Sequence, residues 1–203
     1  MLAIASAVPA FASDLTVTYF QISNTDPSYN QLCCGTYNNE VLSNLGPNGL
    51  PVLNPAYSGT MPAAADVDSN GELTWWSPAL NSNVTQTGTG VVSLPLNFTS
   101  FYPPNGTGTS DANGGLAAIF SGTLNAPTDE VISFSIGADD SAFAYLDGVN
   151  VCDLGGVHGD TQGSCVTPFT ITAGNHNLKL FFVDMNQVDS ALNFDITTQG
   201  VTT

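Results

Sequence analysis

The chain has 203 residues, of which 17 are Asp or Glu and only one is Lys or Arg, so its formal net charge at pH 7 is −16. Such an acidic surface repels phosphate backbones and anionic membranes, which argues against nucleic-acid and lipid-surface functions and favours cation binding. Hydrophobic residues make up 42% of the chain. That content excludes a disordered acidic tail and is ample for one folded domain.

The first residues resemble the end of a secretory signal peptide. Residues 1–12 are mostly small and apolar and end in Ala10-Phe11-Ala12, an A-x-A cleavage pattern before Ser13, although no basic segment precedes them. We therefore expect a signal-peptide remnant at residues 1–12, a single domain at residues 13–203 and export from the cell. No later run approaches the roughly 18 apolar residues of a membrane helix.

Short apolar or alternating runs recur between turn clusters along the rest of the chain. This spacing is typical of an antiparallel β-sandwich, and no stretch keeps a helical period. The predicted strands are Leu15–Ile22, Leu73–Trp76, Val91–Phe98, Leu116–Leu124, Val131–Ile136, Ala142–Leu146, Val149–Leu154, Val166–Ile171, Leu178–Val183 and Leu192–Thr197.

A segment at about residues 31–78 is rich in Asn, Gly and Pro. It has too few apolar runs for a core of its own, so we expect a loop-rich insertion over the sandwich rather than a second domain. It contains Asp66, Asp68, Asn70, Gly71 and Glu72. Oxygen ligands at positions 1, 3 and 5 with Gly at position 6 match the front half of a calcium-binding loop, but an ordinary turn has the same composition. Both interpretations stay open.

Two adjacent aspartates, Asp139 and Asp140, follow the strand Val131–Ile136. Neighbouring carboxylates repel each other unless a cation lies between them or one of them is protonated. Calcium accepts six to eight oxygen ligands in irregular geometry, which loop carboxylates provide. A solvated turn is the alternative.

A β-hairpin is predicted directly after this pair. Ala142–Leu146 and Val149–Cys152 flank Asp147-Gly148, a dipeptide that supplies the positive φ angles of a type I′ turn. Asp147 is therefore interpreted as a turn former rather than a ligand.

The four cysteines are candidates for disulfides in an exported protein. Cys152 and Cys165 flank one loop, and we predict that they are bonded. Cys33 and Cys34 are adjacent, and three states stay open for them: a strained ring between the two, pairing within an assembly, or reduced thiols.

A third polar loop, Val183–Ser190, lies between the last two predicted strands and carries Asp184, Asn186 and Asp189. Loops at one end of a sandwich can converge, so these residues are candidates to complete a metal site around Asp139 and Asp140. The pattern of this loop is unspecific by itself.

Catalytic patterns are weak by comparison. The two histidines, His158 and His176, lie in predicted turns, and no nucleophile or zinc-protease motif occurs. Adjacent aspartates lack the separation that two glycosidase carboxylates need. We therefore predict that the protein is not an enzyme. Trp75 and Trp76 either stack on a sugar or belong to the core.

An ordered set of motifs resembles the fibro-slime domain, a branch of the β-sandwich module of the anthrax protective-antigen type. The motifs are Asn70-Gly71-Glu72-Leu73-Thr74-Trp75-Trp76, Gly137 to Gly148, Val151 to His158, and Ala173-Gly174-Asn175-His176-Asn177-Leu178, and the close match spans about Leu116 to Thr197.

The resemblance implies a twisted antiparallel β-sandwich. It also implies a calcium ion held by two neighbouring aspartates joined by a cis peptide, here Asp139 and Asp140, with sugar hydroxyls completing the coordination. Asp184, Asn186 and Asp189 match the partner loop only in position.

Together these features predict a secreted or cell-surface module that binds a glycan or matrix component through calcium. The alternative is a structural subunit of an extracellular filament. In that case the N-terminal strand Leu15–Ile22 pairs with a neighbour's sheet edge and calcium bridges the acidic subunits.

Overall fold

The computed structural model describes residues 14–31, 38–98, 114–187 and 190–198. The predicted signal-peptide remnant, Cys33, Cys34 and Asp189 lie outside these ranges. Within them the chain forms twelve strands and one 3₁₀ turn, Ala64–Asp66. In chain order the strands are β1 Asp14–Ser23, β2 Val84–Ser93, β3 Leu96–Phe98, β4 Gly114–Ala126, β5 Glu130–Asp139, β6 Ser141–Leu146, β7 Val149–Leu154, β8 Thr161–Gln162, β9 Ser164–Cys165, β10 Phe169–Ile171, β11 Gly174–Asp184 and β12 Ala191–Thr198.

The strands form two antiparallel sheets. One has seven strands in the order β2-β1-β4-β11-β6-β7-β9, and the other has five in the order β10-β5-β12-β3, with β8 also pairing with β5. The predicted all-β antiparallel sandwich is confirmed. Among the residues described, no helix has the length and apolar character needed to cross a membrane.

Apolar side chains fill two layers. The inner core lies between the sheets and includes Phe120, Phe134 and Phe182. A second layer, which we term the outer cluster, includes Trp75, Trp76 and Phe181 and brings insertion residues against the other face of the seven-stranded sheet. Successive residues of a strand point to opposite faces, so β11 contributes to both layers.

Most strand predictions agree with the structure, but three do not. Leu73–Trp76 is not a strand, because Leu73 makes only an isolated bridge and the tryptophans lie in a turn; the apolar run reflects burial in the outer cluster. Val91–Phe98 is interrupted near Pro95, where β2 gives way to β3, and Val166–Ile171 is shorter than predicted, because β10 begins at Phe169, after Pro168. Proline has no N–H to donate to a ladder.

The N-terminal strand has no free edge. Leu15–Ile22 is predicted correctly as a strand, but β1 pairs with β2 on one side and β4 on the other. Its proposed role in pairing with a neighbouring subunit is therefore wrong, since both rows of its backbone groups are already used. Within the described residues, the two edge strands of this sheet are β2 and β9.

Two local predictions are confirmed. Asp147 and Gly148 have φ angles of 51° and 80°, as a type I′ turn requires. The Asp147 carboxylate accepts the N–H of Asn177 at 2.7 Å and pairs with His176 at 2.7 Å, so it fixes the turn against β11. The Cys152–Cys165 disulfide forms and joins β7 to β9.

Candidate metal centre

The connection between β5 and β6 carries the chain from the five-stranded sheet to the seven-stranded one. Asp139 is the last residue of β5, and Asp140 precedes Ser141, the first residue of β6. On the neighbouring strand β11, Val183 pairs with Ser141. Asp184, the residue after Val183, therefore lies beside the aspartate pair at one end of the sandwich.

The carboxylates of Asp139, Asp140 and Asp184 converge. Their potential ligand oxygens all lie within 4.8 Å of one another, and the three residues are 5%, 1% and 0% exposed. The Asp139-Asp140 peptide bond is cis, as the resemblance implied. Three buried carboxylates at this separation repel one another unless a cation or protons neutralise them.

Asp140 also holds two loops in place. Its Oδ1 accepts the N–H of His158 at 2.8 Å, and its Oδ2 accepts the N–H of Met185 at 2.8 Å. Burial raises the pKa of Asp140 to about 7; the two N–H bonds oppose this rise and the charge of Asp139 adds to it. The side chain is thus costly to ionise without a positive charge nearby.

Of the residues proposed at the end of β11 and in the loop that follows, two lie at the candidate metal centre. Asp184 Oδ1 accepts the N–H of Asn186 at 3.2 Å, which turns the backbone back towards the strand end. Asn186 is half-buried next to the cluster. Asp189, the third residue proposed from this loop, lies outside the described residues.

The predicted second metal loop is arranged differently. Asp68 accepts the N–H groups of Asn70 and Glu72, both at 2.8 Å, whereas Glu72 is buried and accepts the N–H of Asn48 at 2.9 Å. The carboxylate of Asp66 does not join these groups and instead accepts a hydrogen bond from the side-chain amide of Asn81 at 2.9 Å. In the described ranges the one group of three or more His, Cys, Asp or Glu ligand atoms within 4.8 Å is the Asp139 cluster. The hydrogen bonds therefore favour the turn interpretation for this loop.

Asp66 belongs to a buried polar network that the sequence did not indicate. Ser28 donates its hydroxyl to Asp66, and Asn83 donates to Asp26 Oδ2 at 3.2 Å. Burial raises the pKa of Asp66 to about 6, and neighbouring Asp26 raises it further. The network ties the segment after β1 to the insertion, and no local pattern around Asp26 announces it.

Glu40 is the second residue that sequence reasoning missed. It is 1% exposed, and its Oε2 accepts the N–H of Gly156 at 2.6 Å and contacts Ser141 Oγ at 3.5 Å. Burial raises the pKa of Glu40 to about 8, with the Gly156 N–H opposing the rise. The insertion thereby supports the loop that Asp140 holds through His158. Asn38-Asn39-Glu40-Val41 has no distinguishing signal.

The tryptophans belong to the protein interior. Trp75 and Trp76 are 4% and 2% exposed, and Trp76 Nε1 donates to the carbonyl of Phe182 at 2.8 Å. Of the two interpretations left open, core packing is the one that the structure supports.

Comparison with known proteins gives a family match for part of the chain. Residues 104–200 match the model of the PA14 domain, and this range includes all three clustered aspartates. No curated protein matches the sequence.

Several solved structures are similar to this chain at low identity and with TM-scores below 0.5. The "PA14 sugar-binding domain from RTX adhesin" is 15% identical with a TM-score of 0.44, over 93% of this chain and 92% of that one. The PA14 domain of the MpAFP antifreeze protein is 13% identical with a TM-score of 0.41, over 98% and 90%. The Epithelial Adhesin 6 A domain from Candida glabrata, in complex with Galb1-3GlcNAc, is 14% identical with a TM-score of 0.46, over 97% and 84%.

Proposed function

We propose that this PA14-type β-sandwich is a secreted or cell-surface module that binds carbohydrate through a calcium ion held by Asp139, Asp140 and Asp184. The observation that carries the proposal is the convergence of three buried carboxylates within 4.8 Å at one end of the sandwich. The fibro-slime assignment within the PA14 fold belongs to the same proposal, because it rests on the motif resemblance alone.

The donor set favours calcium over other ions. The cluster contains carboxylates only, and hard oxygen ligands suit calcium and magnesium, whereas zinc and copper favour nitrogen and sulfur. Calcium accepts more ligands and less regular geometry than magnesium, which suits ligands drawn from the ends of two different strands and the connection between β5 and β6. A net charge of −16 raises the local concentration of any divalent cation.

The number of ligands leaves room for a sugar. Three carboxylates supply three to six oxygens, and Asn186 and Asp189 are proposed as further ligands, whereas calcium takes six to eight. Positions left on the outward side of the ion would bind two neighbouring hydroxyls of a glycan. This arrangement is the one that the resemblance implies, and it requires no catalytic residue.

An extracellular location fits the same site. The Cys152–Cys165 disulfide is typical of oxidising compartments, and residues 1–12 are proposed as a signal-peptide remnant. Extracellular modules work with calcium affinities of about 10⁻⁴–10⁻³ M, which a cluster of this kind can supply.

Calorimetric titration of calcium into the purified protein tests the metal site. We expect one saturable site in the wild-type chain and at least tenfold weaker binding in Asp140→Asn. Asp160→Asn is the matched control, because it removes the same charge at an exposed position. Equal binding by all three proteins would overturn the assignment.

A glycan array then tests the ligand. We expect binding in calcium that is lost with a chelator and restored when calcium is added back. Calcium binding without any calcium-dependent glycan signal would refute the carbohydrate function while leaving the metal site intact.

The alternative function, a filament subunit, would have to use an edge strand such as β2 rather than β1. Val91 on this edge strand is 65% exposed, and an unpaired strand edge can add a neighbour's strand. Light scattering at millimolar calcium decides the question, since a protein that stays monomeric there is not a calcium-bridged filament subunit.

A further inference from the structure

The only lysine in the chain lines a cavity at the far end of β6 from the metal centre. The chain contains one Lys or Arg in total, Lys179, and it borders a cavity of about 200 Å³ together with Leu45, Tyr145, Asp147, Gly148 and Asn177. Six residues of β6 separate the two ends. At about 3.3 Å per residue, the cavity and the aspartate cluster are roughly 20 Å apart.

The fold places Lys179 under the insertion. Its neighbours on β11, Leu178 and Leu180, belong to the inner core, so Lys179 points to the opposite face of the sheet. There the insertion loop covers it, and a methyl group on Gly49 would lie 3.3 Å from Nζ. The side chain is half-buried rather than extended into water.

No acidic partner neutralises this cation within the described part of the chain. The one ion pair found there joins His176 to Asp147, and no carboxylate lies within 4.0 Å of Lys179 Nζ. Asp147 is also on the cavity wall, but its oxygens already accept from His176 and from the N–H of Asn177. The cavity therefore offers a positive charge in a chain that otherwise carries almost none.

We propose that this cavity binds a single sugar ring that bears a carboxylate, such as a uronate, independently of calcium. A carboxylate on Lys179 forms a charge-assisted hydrogen bond, one of the stronger polar contacts in proteins. The exposed amide of Asn177 lines the cavity where it can contact ring hydroxyls, and Leu45 provides an apolar wall.

The size of the cavity limits the ligand. Sites for drug-sized ligands occupy about 300–1,000 Å³, so a cavity of about 200 Å³ accommodates one ring rather than an oligosaccharide. A site at each end of the sandwich would give the module two separate contacts with an acidic glycan, which raises avidity without enlarging either site.

The single lysine makes the test direct. Protein grown with lysine labelled with ¹³C at Cε gives one lysine Cε signal, so sodium glucuronate can be titrated while that signal is followed by NMR, in the presence of a calcium chelator. We expect a saturable shift with glucuronate and at least tenfold weaker binding of glucose, because glucose lacks the charged partner.

The Lys179→Met variant supplies the second arm, measured by calorimetry with the same ligand. We expect affinity to fall at least tenfold, while Asp140→Asn, which alters the distant cluster, binds glucuronate normally. Three outcomes would each overturn the proposal. They are a linear, non-saturable shift of the lysine signal, an equal shift with glucose or sodium chloride, and glucuronate binding that requires calcium. The wild-type titration decides the matter even if Lys179→Met does not fold. Failure here leaves the calcium titration unaffected.

Discussion

Met185 donates its backbone N–H to Asp140 Oδ2 at 2.8 Å, so the start of the loop after β11 is held by the carboxylate that we propose as a calcium ligand. The other oxygen of Asp140 holds the N–H of His158 at 2.8 Å in the same way. One side chain thus couples the candidate metal centre to two loops that are far apart in sequence.

Calcium should therefore slow amide hydrogen exchange in both loops. If opening of the loops releases the ion, a free calcium concentration of about 100 times Kd disfavours opening by about 2.7 kcal/mol, which corresponds to roughly 100-fold slower exchange. Hydrogen exchange read by mass spectrometry on peptides containing His158 and Met185 measures this effect. Peptides from β1 and β2 serve as the internal control, and uniform protection or none would contradict the coupling.

Gly155 is predicted to be intolerant of a side chain. A Cβ at this position would overlap the carboxylate of Glu40, which is fixed against Gly156. We expect Gly155→Ala to lower the free energy of unfolding by about 1–3 kcal/mol, the usual cost of overpacking. Gly159→Ala is the matched control, since a Cβ there meets nothing within 4 Å. Equal stability of the two variants in urea denaturation would show that Glu40 moves aside freely.

The buried Glu40 should make the protein less stable as the pH rises. Its pKa is raised by burial from 4.5 to about 8. Between these values the unfolded chain has released the proton that the folded chain retains, so unfolding becomes easier with increasing pH and the penalty is complete above about pH 8. The slope from this residue approaches ~1.4 kcal/mol per pH unit within that window.

The Glu40→Gln variant isolates this contribution. Glutamine stays neutral, and its amide oxygen can still accept the N–H of Gly156. The variant should therefore gain stability relative to the wild-type chain between pH 5 and pH 8, in urea denaturation with a chelator present. Asp66, Asp140 and Asp153 titrate in both proteins, so their contributions cancel except for the part that comes from the repulsion of Asp140 and Asp153 with Glu40. Parallel pH curves for the two proteins would mean that Glu40 does not retain its proton on folding.

The sequence predicted the sandwich because its strands alternate and its turns are marked. The hairpin around Asp147-Gly148 is the clearest case, since the φ angles that this dipeptide favours are the ones observed. Leu73–Trp76 failed because apolar residues buried under an insertion look like a strand when the covering layer is unknown. Proline also limited two other predicted strands, since Pro95 separates β2 from β3 within Val91–Phe98 and Pro168 precedes the start of β10 within Val166–Ile171.

The site was predictable where its residues carry a motif or lie in a recognisable loop next to a predicted strand. Asp139 and Asp140 are adjacent and carry a motif resemblance, and Asp184 was proposed from its place in a loop. Glu40 reaches the same region from a position 100 residues before Asp140. Nothing local marks such a residue, because its role depends on how the insertion folds back onto the sheet.

The ion pair of His176 and Asp147 should stabilise the protein in mildly acidic solution and less at alkaline pH. Both ring nitrogens of His176 face acceptors, Asp147 Oδ2 at 2.7 Å and the carbonyl of Thr172 at 2.9 Å, and only the protonated imidazolium donates from both. These contacts raise the pKa of His176 above 6.5. Partial burial opposes a fall in the pKa of Asp147, but the bonds from His176 and Asn177 hold it below 3.8.

The contribution of protonated His176 to the free energy of unfolding is complete below pH 6.5 and is lost as the pH rises through the folded-state pKa of His176. The aspartate contribution is present above pH 3.8 and is lost as the pH falls through the lowered pKa of Asp147. His176→Gln should therefore destabilise the protein most near pH 5, by about 0.3–1 kcal/mol given the exposure of Asp147, and less at pH 8.

Proton NMR of the histidine rings measures the raised pKa of His176 directly, because the chain has only two histidines and their signals are easily assigned. His176 should titrate above 6.5, whereas burial lowers the pKa of His158, so the two signals separate. Asp147→Asn is the matched control. Asparagine tolerates the positive φ of the turn and keeps an acceptor for Asn177 but removes the charge. In that variant the pKa of His176 should return towards 6.5, and an unchanged titration would show that Asp147 is not the group that holds the proton on His176.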